Sequence, residues 1–266
     1  MPQAANSVDS NTIYFDASTT EAPPVLFLHG SALSRSIWRG LGYVRAFEPE
    51  FSTIRMDLRG HGRSAKPHAV ADYSMEAMLG DVQAVLDATG HDSVHIVGYS
   101  FGARVGLALA ARAPHKVRSL CMLGGTHAIE AGQLAALFFD GYLEVLKTGD
   151  IDGFIAGMES GGGKLDPATR LAFASNDPLA LAAYFEATES GAGISEILLR
   201  QISTPTLLMT GTRDWPRIEH SRIMASLMPD ARLAELPGRT HGGTLFPVEP
   251  ILDEILPFIR SHQLGK

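Results

Sequence analysis

Short apolar runs alternate with longer stretches of helical periodicity along most of this chain, and this alternation limits the folds available to it. The runs are five to seven residues long and apolar at consecutive positions, as in PVLFL at 24–28. Strands that are apolar on both faces and alternate with helices indicate a parallel sheet with helices on each side. The fold class predicted is α/β, a mostly parallel doubly wound sheet, and a weaker alternating run at 12–17 adds an antiparallel edge strand. Predicted strands cover 24–28, 51–56, 93–97, 117–123, 205–210 and 231–236, and predicted helices cover 74–89, 101–113, 216–227 and 245–262.

The alternation breaks once, between residues 126 and 200, where Ala, Leu, Phe and Glu recur at helical spacing. We expect a helical cap insertion at 126–200 above a core formed by 1–125 and 201–266, because insertions of this kind often cover a site. The alternative is that the insertion simply completes the core. Its glycine-rich segment GMESGGGKLDP at 157–167 lacks the pattern of a phosphate-binding loop and is predicted to be a mobile hinge or loop.

Composition excludes several classes of protein. The chain has 266 residues, 45% hydrophobic and 19% charged, which suits one globular domain with an insertion. Its net charge is −7 and no cluster of Lys and Arg is present, so nucleic acid is not an expected partner. No apolar run approaches the roughly 18 residues that span a bilayer, and the first residues lack the pattern of a secretory signal. We expect a soluble cytoplasmic protein without a membrane partner, acting as a monomer or homodimer.

The single cysteine, Cys121, lies in the apolar stretch VRSLCMLGG. One cysteine forms no intrachain disulfide, and a cysteine-based metal site is implausible. We interpret Cys121 as a small buried apolar residue. No metal and no organic cofactor is expected.

Residues 96–104, IVGYSFGAR, place Ser100 between two glycines where a predicted strand meets a predicted helix. By chance alone a G-x-S-x-G pattern occurs roughly 0.2 times in a chain of this composition, so the context decides its meaning. A strained turn between strand and helix exposes the serine Oγ, and the flanking glycines remove Cβ atoms that would collide with neighbouring backbone. The N-terminus of the helix also favours a developing negative charge. Ser100 is the predicted nucleophile.

Four further motifs accompany this one in a fixed order. They are LHG at 28–30, DLRGHGRS at 57–64, PTLLMTGTRD at 205–214 and GRTHG at 238–242. Together the five motifs resemble the α/β-hydrolase family, in its serine-nucleophile esterase and lactonase branch, over nearly the whole chain. The resemblance implies that DLRGHGRS is a structural loop, in which we expect a local ion pair between Arg59 and Asp57.

A serine nucleophile needs a base and an acid that orients the base. His241 and Asp214 each follow a predicted strand, and the order Ser100, Asp214, His241 is the one expected for this fold. We predict these three as the catalytic residues. The alternatives for the base are His127 and His220, and those for the acid are Glu130 and Asp140.

Two backbone N–H groups are expected to bind the oxyanion of an acyl-transfer intermediate, those of Phe101 and, by resemblance to the family, of Ser31. Predicted substrate-binding side chains form an apolar chamber with one nearby cation. They are Leu33, Trp38, Arg104, Phe138, Met158 and Trp215. Each apolar member has the alternative interpretation of a core residue, and Arg104 that of a solvent-facing or acid-paired residue.

The predicted function is hydrolysis of an ester, lactone or thioester of a small, largely apolar substrate through an acyl-enzyme. The segment GYSFGAR is also similar to that of the menaquinone-pathway synthase, in which an arginine at the position of Arg104 binds a substrate carboxylate. A lyase of that kind, a carbon–carbon bond hydrolase and a non-catalytic ligand receptor remain alternatives. Epoxide hydrolases and haloalkane dehalogenases are disfavoured, because they use Asp where this chain has Ser100.

Overall fold

A single sheet organises the part of the chain that the computed structural model describes, residues 2–162 and 164–263. Within those residues the sheet has eight strands in the order β1-β2-β4-β3-β5-β6-β7-β8. The first two pairings, β1 with β2 and β2 with β4, are antiparallel, and all later pairings are parallel. The strands are β1 Gln3–Ala5, β2 Thr12–Ala17, β3 Pro24–Leu28, β4 Ser52–Met56, β5 Val94–Tyr99, β6 Val117–Leu123, β7 Thr206–Gly211 and β8 Ala231–Leu236.

Helices cover both faces of this sheet, which confirms the predicted α/β class. Short 3-10 turns occur at Val70–Tyr73, Pro114–Lys116 and Gly242–Thr244. The α-helices are α1 Ser36–Gly40, α2 Tyr43–Phe47, α3 Met75–Thr89, α4 Phe101–Arg112, α5 Gln133–Leu137, α6 Tyr142–Lys147, α7 Ile151–Gly162, α8 Pro167–Ala174, α9 Pro178–Ser190, α10 Glu196–Leu199, α11 Arg217–Leu227 and α12 Glu249–Ser261.

Alternate residues of the central strands feed two separate apolar clusters. In β3, Leu26 and Leu28 join the cluster that includes apolar residues of α3 and α4, whereas Val25 and Phe27 join the cluster that includes residues of α1, α2 and α12. Successive side chains of a strand point to opposite faces, so a strand that is apolar throughout is buried between two layers. This is why consecutive apolar residues predicted the strands well.

Three details of the predicted elements are corrected. The antiparallel strand predicted at 12–17 is β2, but β1 pairs outside it, so β2 is not the edge. The last helix starts at Glu249 rather than at 245, because a 3-10 turn and Pro247 precede it. The glycine-rich segment at 157–167 is not all loop, since α7 continues to Gly162, and Gly163 lies outside the described residues.

Arg59 and Asp57 do not pair with each other, contrary to the sequence expectation. Arg59 binds Asp81 through two hydrogen bonds of 2.6 and 2.8 Å and Asp9 through one of 2.6 Å. The Asp57 carboxylate instead accepts from the guanidinium and backbone N–H of Arg35. Asp57 and Arg59, two positions apart in the loop, thus belong to separate ion pairs.

Six of the helices in the described residues, α5 to α10, lie between β6 and β7. We call residues 126–200 the insertion. Its apolar side chains, Phe154, Leu181, Tyr184 and Phe185 among them, join the same cluster as α3 and α4 instead of forming a separate one. No helix among the described residues is both long and apolar enough to cross a membrane.

Candidate active site

Ser100 lies between β5 and α4 in a backbone conformation that few residues adopt. Its φ and ψ are 53° and −115°, and its N–H donates to the Leu123 carbonyl at 2.8 Å. A Cβ on Gly98 would lie 2.6 Å from Ala103 Cα, and one on Gly102 would lie 2.2 Å from the Leu28 carbonyl oxygen. Glycine is therefore required on both sides of Ser100, and the strained turn between them holds the serine at the end of the strand.

The structure brings Ser100, His241 and Asp214 into one hydrogen-bonded chain. His241 Nε2 lies 3.0 Å from Ser100 Oγ, and His241 Nδ1 lies 2.8 Å from Asp214 Oδ2. Because a carboxylate only accepts, Nδ1 carries the proton and Nε2 is free to accept from the serine hydroxyl. Asp214 follows β7 and His241 follows β8, so the parallel strands deliver these side chains to the sheet edge where Ser100 follows β5.

The surroundings of His241 favour its neutral form. Burial lowers the pKa of His241 below its usual 6.5, and the positive charge of Arg217 lowers it further, although the Asp214 carboxylate acts in the opposite direction. The imidazole also stacks on Tyr99 with ring centroids 5.1 Å apart. A neutral, oriented imidazole at pH 7 is what a general base requires.

Asp214 is buried and receives a second hydrogen bond, from Arg217 Nη1 at 3.2 Å. The site is closely packed beneath these groups. A Cβ on Gly124, whose φ is 60°, would lie 3.1 Å from the His241 ring and 3.3 Å from Asp214 Oδ2. Gly124 therefore provides the space in which the acid and the base meet.

The two residues predicted to supply oxyanion donors lie beside Ser100. Phe101 is the first residue of α4, where backbone N–H groups have no partner within the helix. Ser31 follows β3 and lines the same cavity as Ser100 and Phe101. Ala32, the next residue, has a φ of 60°, so the backbone of this turn is also strained.

A small cavity with a volume of about 20 Å³ adjoins Ser100. We call it the Ser100 cavity. Its described wall comes from the β3 and β6 turns, from α4, α9 and α11, and from the start of the insertion. The lining residues are Ser31, Ser100, Phe101, Arg104, Gly124, Thr126, Ile129, Gln133, Leu134, Thr188 and Arg217.

Arg104 is the unusual member of this wall. Arg104 is only 7% exposed, and its guanidinium lies 5.9 Å from the centre of the Phe101 ring. The buried Nη1 of Arg104 makes no hydrogen bond to any of the described residues. Burial lowers the pKa of Arg104 to about 10, so it remains a cation at pH 7. No carboxylate of the described chain lies within ion-pairing distance of it. The wall therefore presents a buried, unpaired positive charge.

Two of the predicted pocket residues do not line the Ser100 cavity. Trp38 is fully buried in the cluster of α1, α2 and α12, where its ring packs against Phe27 and Tyr43 at 5.1 and 5.0 Å. Trp215 is 63% exposed and lies outside the described cavity wall. An apolar residue type near a motif does not reveal which side of the sheet its side chain occupies.

Leu33, Phe138 and Met158 are also absent from the described wall of the Ser100 cavity. All three are half-buried and pack against the apolar cluster that α3 and α4 share with the insertion. Sequence reasoning missed seven wall residues. Of these, Arg217 had a readable signal, since it lies three positions after Asp214. The other six, Gly124, Thr126, Ile129, Gln133, Leu134 and Thr188, belong to segments without motifs.

Three of the rival residues for the acid and base form a different cluster. His220 Nε2 bonds Glu130 Oε1 at 2.9 Å, the rings of His127 and His220 lie 4.9 Å apart, and His127 Nδ1 bonds the Ile194 carbonyl. His241 holds the position beside Ser100 instead. Within the part of the chain that the structure describes, no group of three or more His, Cys, Asp or Glu residues is arranged to hold a metal ion.

Comparisons with known proteins agree on the fold of this chain. A family model described as alpha/beta hydrolase fold matches residues 23–151, slightly less than half of the chain. The chain has the α/β-hydrolase fold. A carboxylesterase structure from Nitrososphaera gargenis superposes on it with a TM-score of 0.86 at 19% identity, covering 98% of each chain, which shows that the two share a fold.

Two curated relatives match a shorter part of this chain than the family model does. It is 36% identical over 105 residues to the 2-hydroxy-6-oxo-2,4-heptadienoate hydrolase of Pseudomonas putida, a match that covers 38% of this chain and 37% of the relative. It is 38% identical over 112 residues to the pimeloyl-[acyl-carrier protein] methyl ester esterase of Methylococcus capsulatus, covering 42% and 41%. The matched segments thus span about two fifths of these two relatives.

Proposed function

We propose that this protein is a serine hydrolase that cleaves a carboxylic ester, lactone or thioester through an acyl-enzyme. The observation that carries the proposal is the hydrogen-bonded chain from Asp214 through His241 to Ser100, with links of 2.8 and 3.0 Å. It has the polarity that acyl transfer needs, because the acid fixes the tautomer of the base and the base accepts from the nucleophile.

In the first step Ser100 Oγ attacks the carbonyl carbon while His241 Nε2 takes the hydroxyl proton. The N–H groups of Phe101 and Ser31 bind the oxyanion that forms. The tetrahedral intermediate then collapses, the carbon–oxygen or carbon–sulfur bond breaks, and His241 returns the proton to the leaving group. In the second step His241 activates a water that attacks the acyl-enzyme, which releases the carboxylic acid and restores Ser100.

The small Ser100 cavity supports a compact acyl group as substrate. The esterase relatives support carbonyl chemistry, since one acts on a methyl ester according to its name and the Nitrososphaera structure is a carboxylesterase. The serine at position 100 also favours an acyl-enzyme intermediate. The other ester intermediate known on this fold would need an aspartate nucleophile at this position. We propose the insertion as the cap that closes the substrate site from above.

Hydrolysis of p-nitrophenyl acetate tests the proposal. Ser100→Ala is expected to lower kcat/KM by about 10³-fold or more while the far-UV circular dichroism stays the same, because the nucleophile is removed and the fold is not. The matched control is Ser226→Ala, whose exposed hydroxyl bonds only a carbonyl within α11. Equal activity of Ser100→Ala and wild type would contradict the proposal. Binding without repeated turnover of any ester would favour the receptor alternative.

Arg104 favours a second candidate, a substrate that carries a carboxylate. Its unpaired guanidinium in the cavity wall is a ready partner for an anion, which departs from the largely apolar substrate expected from sequence. The Pseudomonas relative is named for hydrolysis of a dienoate, so carbon–carbon bond hydrolysis of an acidic substrate is the alternative that Arg104 supports. Elimination of a carboxylate-bearing group would use the same contact.

Paired substrates separate these candidates. The p-nitrophenyl monoester of succinate carries a free carboxylate, and p-nitrophenyl butyrate has the same length without one. Arg104→Gln is expected to raise KM for the succinate ester about tenfold and to leave KM for the butyrate ester within twofold. Arg112→Gln, on the same helix but half-exposed, is the matched control. Equal effects on both esters would remove the support for an acidic substrate.

A further inference from the structure

The turn that follows β3 is held in a strained conformation by contacts from the insertion. Ala32 is fully buried with a φ of 60°, and the Leu33 N–H donates to the Gly30 carbonyl across the turn at 3.3 Å. A non-glycine residue in the left-handed region is unfavourable and persists only where the surroundings hold it. Two side chains of the insertion bond to this short segment.

The first of these side chains is Tyr184, in α9. Its hydroxyl lies 2.6 Å from Ser31 Oγ, and its ring packs edge-on against the Phe101 ring with centroids 4.9 Å apart. One buried side chain therefore touches both residues proposed to supply oxyanion donors. The second is Asn176, whose Nδ2 donates to the Ala32 carbonyl at 2.8 Å.

Tyr184 is itself firmly held. It is fully buried, and its ring packs edge-on against His61 at 4.8 Å as well as against Phe101. Burial raises the pKa of Tyr184, so the phenol stays protonated and neutral at any pH at which the protein works. Its hydroxyl is thus a permanent hydrogen-bonding partner for Ser31.

We propose that Tyr184 is a positioning residue that fixes the Ser31 turn so that the Ser31 N–H points at the oxyanion. This inference rests on the serine hydrolase mechanism proposed above. Tyr184 contacts Ser31, and Asn176 contacts the next residue of the turn, Ala32. Through these two contacts, packing of the insertion on the core completes the oxyanion site. An insertion displaced from the core leaves Ser100, His241 and Asp214 in place but loses one donor of the oxyanion site.

Tyr142 provides a matched comparison within the same insertion. It is also a buried tyrosine, and its hydroxyl donates to Glu189 at 2.8 Å, within the insertion rather than on the core turn. Tyr142→Phe and Tyr184→Phe therefore each remove one hydroxyl of the insertion and the hydrogen bond that it makes. Of the two variants, only Tyr184→Phe removes a contact with the Ser31 turn.

The test is a double-mutant cycle on the full-length protein with p-nitrophenyl acetate. Tyr184→Phe is expected to lower kcat about tenfold with KM unchanged, since the lost contact acts on the transition state. Ser31→Ala should lower kcat by the same factor, and the double variant should lose no more than either single variant. Tyr142→Phe should keep the wild-type kcat.

Amide exchange of Leu33 provides a readout that does not depend on turnover. Its N–H should exchange faster in Tyr184→Phe than in wild type or Tyr142→Phe, because it closes the turn that Tyr184 holds. The inference is overturned if Leu33 exchange is unchanged, or if the losses of Tyr184→Phe and Ser31→Ala multiply in the double variant. Should the wild type hydrolyse no ester at all, the proposed function fails, and the exchange measurement still decides the inference.

Discussion

Arg217 acts on both Asp214 and His241. It donates to Asp214 Oδ1 at 3.2 Å, and its charge helps to lower the pKa of His241. Since His241 acts as a base only when neutral, activity is expected to fall only below pH 6.5, as the ring becomes protonated. Arg217→Gln removes the repelling charge and leaves Asp214 to stabilise the imidazolium, so the pKa of His241 rises. The acidic limb of kcat/KM against pH is expected to move to higher pH.

Arg222→Gln is the matched control for this measurement. Arg222 lies on the same helix, is half-exposed and pairs with Glu219 and Glu235 instead of with the site. It should leave the acidic limb where wild type has it. An acidic limb that stays in place, or moves to lower pH, in Arg217→Gln would contradict the assignment of His241 as the base.

The strand–turn–helix unit around Ser100 depends on contacts that only glycine allows. A Cβ on Gly102 would lie 2.2 Å from the Leu28 carbonyl oxygen, which is backbone of the neighbouring strand and has no room to move. Gly102→Ala is therefore expected to lower the free energy of unfolding by about 2–3 kcal/mol, the cost of inserting a methyl group into packed structure. It should also lower kcat, because α4 carries Phe101 and follows Ser100. Urea unfolding and ester hydrolysis measure the two effects.

Gly40→Ala tests whether the contact, rather than the loss of a glycine, is responsible. A Cβ on Gly40, at the end of α1, meets nothing within 4 Å. This variant should be within about 1 kcal/mol of wild type and as active, since alanine is the better helix former. A Gly102→Ala protein as stable as Gly40→Ala would show that the unit tolerates a Cβ.

Sequence patterns predicted the elements that are long or apolar throughout and missed those that are short. The run 117–123 became β6 with the same bounds, because burial on both faces requires apolar residues at every position. β1 has three residues with exposed ends, and α1 and α2 have five residues each, so none shows a full period.

The same limit applies to the candidate site. The relative placement of Ser100, Asp214 and His241 could be predicted, because parallel strands bring their carboxyl ends to one edge. The surroundings of Trp38 and Arg104 could not be predicted from the sequence. Each lies on a helix near a motif, but which face Trp38 occupies and whether Arg104 finds an acid depend on packing between distant segments.

At the scale of the whole molecule, Arg59 joins segments that are far apart in the chain. It is fully buried and bonds Asp81 of α3 twice, Asp9 between β1 and β2, and the Asp72 carbonyl. Burial raises the pKa of Asp81, although the guanidinium of Arg59 opposes this shift. Arg59, together with a hydrogen bond from Asn6, stabilises the charged form of this buried carboxylate.

Arg59→Met is expected to lower the free energy of unfolding by about 3 kcal/mol at pH 8, because Asp81 is then a buried charge without its partner. The loss should shrink toward pH 5. Without Arg59 the pKa of Asp81 rises further above its unfolded value, so the folded variant binds a proton more tightly than the unfolded chain and gains stability as pH falls. Urea unfolding at both pH values measures this. Arg112→Met, which breaks a half-exposed pair with Glu76, should cost under about 1 kcal/mol at either pH. A loss in Arg59→Met that is equally small, or independent of pH, would mean that Asp81 does not need its partner.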